Sequence, residues 1–457
     1  IGIGNDLALK AKKLIEKDFD YEIETQRINP ISIENNLSII ALVGEKMKSF
    51  QGISGKMFSA LGRNNVNVKA IAQGASERNI TAVIDSTNTK QALNILHEAF
   101  FEEDIKQINL FVTGVGNVGS KFIDQLNSQK EYLQNQLRLN IKVSGISNSR
   151  KMLIDANGID LNNWNEILDK GEKAVPSTFF EHIKNLNLRN SIFVDNTANE
   201  DIAHTYPPFL KSSISVVTCN KIAAAETYEY YSHLKQLART YNASYLFETN
   251  VGAGLPIIDT LNHLITSGDR VHTIQAILSG SLNYVFNEFN DKTTFREVVK
   301  QAMDAGFTEP DPKIDLSGVD VARKILILAR ESGLQMELSE IENESFLPQE
   351  CLDTKDNESF LSSLDYHNDH FKSLFNTAAS KNCRLKYVAE LVNGKAKVGL
   401  KEIPNGHDFY NLSGSDNIVL FYTDRYKDQP LIVKGAGAGG EVTASGIFAD
   451  IIRIAKR

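Results

Sequence analysis

The sequence predicts an α/β protein built on a doubly wound parallel sheet, with a small ferredoxin-like module ahead of it and an α+β region behind. Three patterns carry that expectation. Between positions 36 and 104 the apolar runs follow a β-α-β-β-α order over about seventy residues. From Ile108 onward short apolar strands alternate with helical stretches, as in parallel βαβ units. Near Tyr245 the character changes, and the tail from Leu385 is again rich in strands.

Taken in order, residues 1–35 read as a helix, LALKAKKLI behind an Asn5 or Asp6 cap, followed by a strand, Tyr21–Arg27, that ends at Pro30. The module at 36–104 consists of the strand LSIIALVG, the helix ISGKMFSALGRNN, the strands NVKAIAQGAS and NITAVID, and the helix TKQALNILHEAFF. The segment 105–247 starts with the strand Ile108–Thr113, followed by a helix over Ser120–Asn127 and the strand LNIKVSGIS. The helix PSTFFEHIKNL and the strands SIFVDNT and SISVVTCN complete it. A third region spans 248–410, and 411–457 ends in the glycine cluster KGAGAGGEVTASG and a helix.

The chain has 457 residues, enough for two to four domains. With 42% hydrophobic and 23% charged residues it is neither disordered nor fibrous. Its 49 basic and 57 acidic side chains give a net charge of −8 without a basic stripe, which excludes nucleic acid as a partner. Cys219, Cys351 and Cys383 provide neither a disulfide framework nor a zinc pattern, and fit a reducing, cytoplasmic compartment. No apolar run approaches the ~20 residues that cross a bilayer. The chain opens without Met, on a stretch that is no targeting peptide and reads as mid-domain, so a piece of a longer chain is expected.

Gly114-Val115-Gly116-Asn117-Val118-Gly119 lies between a strand and a helix. The first glycine permits a tight turn, the second lets backbone approach a pyrophosphate, and the third allows close helix packing. Free N–H groups at the helix start then favour the anion. A glycine-rich structural turn is the bland alternative, and the strand–helix context favours a Rossmann-type dinucleotide site. The second strand ends in Gly-Ile-Ser-Asn-Ser-Arg150, with no acid to hold a ribose 2′-hydroxyl. Arg150 suits a 2′-phosphate, favouring NADP over NAD, and equally suits an exposed loop. Asp195-Asn-Thr197-Ala-Asn-Glu200 and Thr218-Cys-Asn-Lys221 each follow a strand at its carboxyl end, where open α/β sheets bind ligands. From position alone Lys221 divides evenly between a substrate-pairing role beside the nicotinamide and a solvated loop.

The stretch Thr308–Lys324, TEPDPKIDLSGVDVARK, crowds four acids against three basic residues. Pro310 and Pro312 keep a helix from absorbing its first half. Asp320 and Lys324 are four apart and share a helix face, which suits a small zwitterion. Read blandly, they form a surface pair worth only ~0.3–0.5 kcal/mol. Asn250-Val-Gly-Ala-Gly-Leu-Pro256, after Glu248, offers carbonyls to a hard cation or is an ordinary turn. Ser279-Gly-Ser-Leu-Asn283 offers polar groups to a substrate or simply caps a helix. The nine histidines are scattered and receive no role.

Together these pieces resemble homoserine dehydrogenase. The likeness rests on the glycine-rich unit, TCNK, ETNVGAGLPII, ILSGSLNYVFNE, TEPDPKIDLSGVDVARK and GAGAGGEVTASGIFADI, in order over about residues 105–457. LSIIALVGEKM, GISGKMFSALGRNNVNVKAIAQGASERNIT and ALNILHEAFF are similar to the second ACT module of an aspartate kinase, and residues 1–35 to the end of a first one. A bifunctional aspartokinase–homoserine dehydrogenase without its kinase domain is the arrangement this resemblance implies, so kinase activity is not expected.

The resemblance further implies reversible NAD(P)H reduction of L-aspartate 4-semialdehyde to L-homoserine, in threonine and methionine biosynthesis. It makes Lys324 the acid–base, Lys221 a residue that orients substrate, and Glu309, Asp315 and Asp320 the substrate pocket. Gly114 to Gly119, Arg150, Thr197, Lys221 and Gly439 would hold the cofactor. Glu248, Val251, Ala253 and Leu255 match a structural sodium site. A homodimer or tetramer is implied, with threonine as effector, although Gln73 matches only one of the implicated glutamines. Cys219 stands where relatives often carry proline and reads as a packing residue. The rival readings are a non-catalytic, ACT-regulated dinucleotide sensor and a dehydrogenase for another amino acid.

Overall fold

The computed structural model describes residues 1–45, 47, 51–74, 78–101 and 105–456, without the side chains of Glu98 and Phe101. The chain forms two compact units, Ile1–Ile105 with Asn187–Arg189, and Lys106–Leu186 with Asn190–Arg457. Among the described residues no helix is long and apolar enough to cross a membrane.

In the first unit the expected helix forms over Ala8–Asp18, but the expected strand Tyr21–Arg27 does not: Asp20–Glu24 is a second helix. Asp20 and Glu22 fall in its first turn, where carboxylates suit the helix dipole. The Thr25 amide closes locally onto the Tyr21 carbonyl at 3.0 Å, and the left-handed Gln26 (φ 57°) ends the run. The next elements match the expected order. Strands Leu37–Val43, Asn79–Asp85 and Val68–Gln73 lie in that spatial order, all antiparallel. Helices Ile53–Arg63 and Thr89–Phe101 cover one face, burying Met57, Leu61, Ile80, Ile84 and Ile95. The expected end of one strand, Ala75 and Ser76, lies outside the described residues.

The second unit holds two sheets. The first runs Tyr245–Leu246, Ser215–Thr218, Ser191–Asp195, Lys106–Thr113, Leu139–Ser147, Lys151–Ile154, Glu172–Lys173. The first five strands are parallel and the last two antiparallel. That antiparallel edge is a departure from the expected alternation. Its cause is local: the Asn148 Oδ1 accepts from the amides of Arg150 (2.8 Å) and Lys151 (2.7 Å), turning the chain straight back. Because the strand order reverses beside Lys106–Thr113, the loops after this strand and after Ser191–Asp195 open next to each other.

The second sheet runs Glu342–Glu344, Lys395–Pro404, Cys383–Val392, Val271–Ile277, Asp416–Thr423, Leu431–Ala436, antiparallel except for the first pair. Helix Gly440–Ala455 then packs against helix Asn117–Gln136, with Phe448 edge-on to Phe122 at 6.3 Å. Its Ala444, Ile447 and Ile451 share a core with Val112 and Val194.

Helix Val319–Glu331 carries the Asp–Lys pair, and its start is set by a close approach. Gly318 precedes it at φ 74°, and a Cβ there would lie 1.9 Å from the Tyr387 hydroxyl oxygen. Tyr387 in turn donates to Asn343 (2.9 Å), whose amide donates to the Ser317 carbonyl (2.9 Å). A Gly318→Ala substitution is therefore expected to cost about 1–2 kcal/mol from backbone conformation alone, and more from the hydroxyl clash. Urea unfolding of Gly318→Ala beside the wild type checks this, and equal stability of the two proteins would refute it.

Candidate active site

At the first turn of the parallel sheet the three glycines act differently. Gly114 is left-handed (φ 85°), and a Cβ there would meet the Thr197 Cγ2 at 2.7 Å. A Cβ on Gly119 would meet the Gly114 carbonyl oxygen at 2.0 Å, so the helix packs onto the turn only without a side chain. Gly116 has open space around its Cβ position and caps the 20-residue helix Asn117–Gln136. That clear approach to the helix N-terminus is what a pyrophosphate needs. Gly439 (φ 117°) precedes the helix Gly440–Ala455, and a Cβ on Gly440 would lie 2.8 Å from Asn117 Oδ1. The two helix starts thus adjoin. Arg150 sits exposed at the tip of the second strand.

The neighbouring loops are braced from beneath by Asp195, which is fully buried. Its carboxylate accepts from the Tyr206 hydroxyl (2.6 Å), the Thr197 amide (2.8 Å) and the Asn220 side chain (3.1 Å). Burial raises its pKa against those hydrogen bonds. Asn220 also donates to the Asn199 carbonyl (2.9 Å), joining the two loops ahead of Lys221. The Cys219 thiol is pushed up to about 12 by burial and by Asp195, so it is no nucleophile at neutral pH.

Lys221, Asp320 and Lys324 come together. One Asp320 oxygen lies 3.0 Å from Lys221 Nζ and the other 2.8 Å from Lys324 Nζ. Lys324 is the more enclosed, with 11% of its side chain exposed, and donates to the Leu278 carbonyl at 2.6 Å. Burial lowers its pKa; Asp320 opposes this and the Lys221 charge reinforces it. Burial would raise the Asp320 pKa, but the two lysines outweigh it and hold the carboxyl well below the usual carboxylate range.

The acidic loop is less open than its sequence predicts. Pro312 begins a short helix, Pro312–Leu316, capped by Asp311, whose side chain accepts from the Lys313 amide at 3.0 Å. Asp315 accepts from the Glu309 amide and stands within hydrogen-bond distance of the Ser281 hydroxyl, both at 2.8 Å. Ser279 caps helix Gly280–Glu288 through the Leu282 amide (3.1 Å). The turn Leu278–Ser281 therefore touches both Lys324 and Asp315. The Glu309 residue itself is exposed.

Glu248 is buried, its two oxygens accepting from the amides of Ile258 (2.7 Å) and Asp259 (2.9 Å). Burial and the Asp450 carboxylate push it up to about 7. Gly252 (φ 76°) and Ala253 (φ 53°) fold the following loop tightly, and the Leu255 carbonyl accepts from Ile257 at 2.8 Å. Oxygen donors of this kind suit a hard cation, which would share Glu248 with two amides and with the Arg453 guanidinium, 3.4 Å away. Elsewhere, Glu200, His204 and Glu226 bring possible ligand atoms within 4.8 Å of one another on the surface, a grouping the scattered histidines did not signal.

The doubly wound sheet with its glycine turn, joined through Thr197 and Asn220 to the Lys221–Asp320–Lys324 group, defines a dinucleotide-binding protein of the α/β class. Family models agree: homoserine dehydrogenase, NAD binding domain, matches residues 114–248, homoserine dehydrogenase matches 256–452, and an ACT domain matches 40–100. The bifunctional aspartokinase/homoserine dehydrogenase of Haemophilus influenzae is 41% identical over 446 residues, covering 97% of this chain and 54% of that protein. The chain spans about half the length of such bifunctional relatives; a chloroplastic one from Arabidopsis thaliana is 42% identical, with 96% and 48% covered. The homoserine dehydrogenase of Schizosaccharomyces pombe is 34% identical over 357 residues, 76% of this chain and 95% of that protein. Among solved structures, a Candida auris protein of unknown function has a TM-score of 0.71 at 35% identity, covering 77% of this chain and 99% of that one. A hyperthermophilic archaeal homoserine dehydrogenase in complex with NADPH has a TM-score of 0.60 at 25% identity, covering 76% and 98%. This chain belongs to the homoserine dehydrogenase family.

Sequence reasoning marked the loops around Asp195 and Asn220 but not the buried brace between them. An acid at the inner end of a parallel strand was the available signal. It gave no sign of the Leu278 carbonyl, because a backbone acceptor has no residue identity to read.

Proposed function

We propose that the chain oxidises L-homoserine to L-aspartate 4-semialdehyde, and runs the reverse reduction, with NADP as the preferred dinucleotide. The observation that carries this is the Lys221–Asp320–Lys324 arrangement, next to the glycine turn through Asn220 and Thr197. Bound NADP supplies the hydride acceptor. Lys324, as the neutral amine, takes the hydroxyl proton of homoserine; as the ammonium it returns that proton to the aldehyde oxygen. Burial favours the neutral form, so oxidation should gain rate with rising pH through a limb below the ordinary lysine value of about 10.4. Asp320, with each oxygen paired to a lysine, holds the two amines in place rather than gripping the substrate ammonium as the sequence suggested. That contact then falls to Glu309, on a loop tied down by Asp315. Lys221 directs its charge at the substrate carboxylate.

The absence of an acid at the second strand tip, and Arg150 there, support NADP over NAD. Glu248 with the carbonyls of Val251, Ala253 and Leu255 is the proposed sodium site. Threonine is the proposed effector through the ACT module. Ile39 and Val43, 57% and 70% exposed on the sheet face away from the helices, support self-association into a dimer or tetramer. The free thiols Cys219, Cys351 and Cys383 fit a reducing cytoplasm.

Homoserine-dependent NADP reduction, followed by absorbance, should be present in the wild type and fall about 10²–10⁴-fold in Lys324→Ala with NADPH binding retained. Turnover of a different amino acid in place of homoserine would refute the substrate; an active Lys324→Ala would refute the residue's role. Arg150→Gln should lower kcat/KM for NADP by about 10–100-fold and leave NAD use unchanged, the loss of one or two charge-assisted hydrogen bonds. Equal losses for both dinucleotides would remove Arg150 from phosphate recognition. Thermal melts should shift upward with sodium in place of choline, and with threonine; an unmoved midpoint eliminates that ligand. Light scattering should report two or four copies, and a single-copy mass would exclude assembly.

A further inference from the structure

The two lysines reach the site from separate parts of the chain. Lys324 stands on the long helix Val319–Glu331, whereas Lys221 precedes the short turn of helix Ile222–Ala225 after the parallel strand Ser215–Thr218. Asp320 joins them, but its side chain is 35% exposed, and a water-accessible ion pair alone holds a long lysine loosely. A second tie lies deeper along the same helix. The Arg330 side chain is 0% exposed and uses all three of its nitrogens. Nε donates to the Met336 carbonyl (3.0 Å), Nη1 to the Ala224 carbonyl (2.9 Å), and Nη2 to Glu337 (3.0 Å). The other Glu337 oxygen accepts from the Tyr228 amide at 2.9 Å. Arg330 and Glu337 therefore grip the Lys221 segment at both ends of its run to the next helix, through Ala224 and Tyr228. The guanidinium also lies 5.8 Å from the Tyr228 ring and 5.4 Å from the Tyr231 ring, which fixes its plane.

We infer that Arg330, through Ala224 and Glu337, is a positioning residue that sets Lys221 against Asp320 and Lys324. It touches no substrate; it acts by fixing the backbone from which Lys221 projects. The inference rests on the proposed dehydrogenase reaction for its kinetic consequence, but its geometric content does not. A guanidinium is required because the three acceptors surround a planar fork, and an ammonium at the same place satisfies fewer of them at once.

The test compares the full chain with Arg330→Lys, which keeps the charge, and with Glu337→Ala, at a half-exposed position where folding is the lesser concern. In both, kcat for homoserine oxidation should fall about 10–100-fold, the cost of displacing a reacting group by roughly 1 Å, with KM for NADP unchanged. The rising limb of the pH profile should move to higher pH, because Lys221 withdraws its charge from Lys324 and leaves Asp320 to it. Acylation of Lys221 by a water-soluble succinimidyl ester, read by peptide mass spectrometry, should become faster. Loss of turnover in step with a lower melting temperature, with the pH limb and Lys221 labelling unmoved, would make Arg330 a merely structural residue and overturn the inference. Wild-type protein that fails to oxidise homoserine would refute the proposed function instead, and the labelling rate would then decide this inference by itself: faster in the variants supports it, unchanged overturns it.

Discussion

The Asp320 carboxylate lies between two ammonium groups that the chain delivers from separate elements, and the site's electrostatics turn on that sharing. An exposed ion pair contributes only about 0–1 kcal/mol. Breaking a buried one leaves an uncompensated charge and costs about 3–5 kcal/mol. This group stands between those regimes, with Lys324 at 11% exposure and Asp320 at 35%. One anion between two cations keeps Asp320 ionised, while the second cation and burial work together to lower the Lys324 pKa. A lysine paired with Asp320 alone would be held in its charged form. The added neighbour and the burial of Lys324 itself shift the balance toward an amine that can both accept and return a proton.

Such a balance requires that both lysines be placed by something firmer than their own long side chains. The parallel sheet does this for Lys221. Asp195, buried at a strand end, gathers Tyr206, Thr197 and Asn220, so that the two loops after neighbouring strands are one braced surface. The helix Val319–Glu331 does it for Lys324, and its start is fixed by the Gly318–Tyr387 contact and the Asn343 bridge. The terminal helix brings Gly440 against Asn117, so the glycine turn acquires a second helix start beside the first. The features around the two lysines thus rest on elements distant in the chain.

Much of this was legible in the residues because its causes are local. The roles of Gly114 and Gly119 follow from backbone conformation and close packing, both of which a glycine announces. The Asp320–Lys324 pair follows from helical spacing. The β-α-β-β-α order of residues 37–101 follows from apolar period. Local signals also misled where two local structures competed. Tyr21–Arg27 alternates like a strand, yet acids in the first turn and a ready carbonyl one turn back made it a helix. The polar Asn148–Lys151 stretch read as loop, but one Asn side chain closed it into a hairpin that ended the parallel sheet on that side.

The sequence by itself determined the dinucleotide turn, the order of elements and the identity of the charged groups, since each depends on residues within a turn or two of one another. Tertiary structure alone decided that Lys221 shares Asp320 with Lys324, that Leu278 offers its carbonyl to that lysine, and that Arg330 secures the Lys221 segment. The reason is physical. A pKa and a reacting geometry depend on distances of about 3 Å between groups brought together by folding, and on how much water that folding leaves between them.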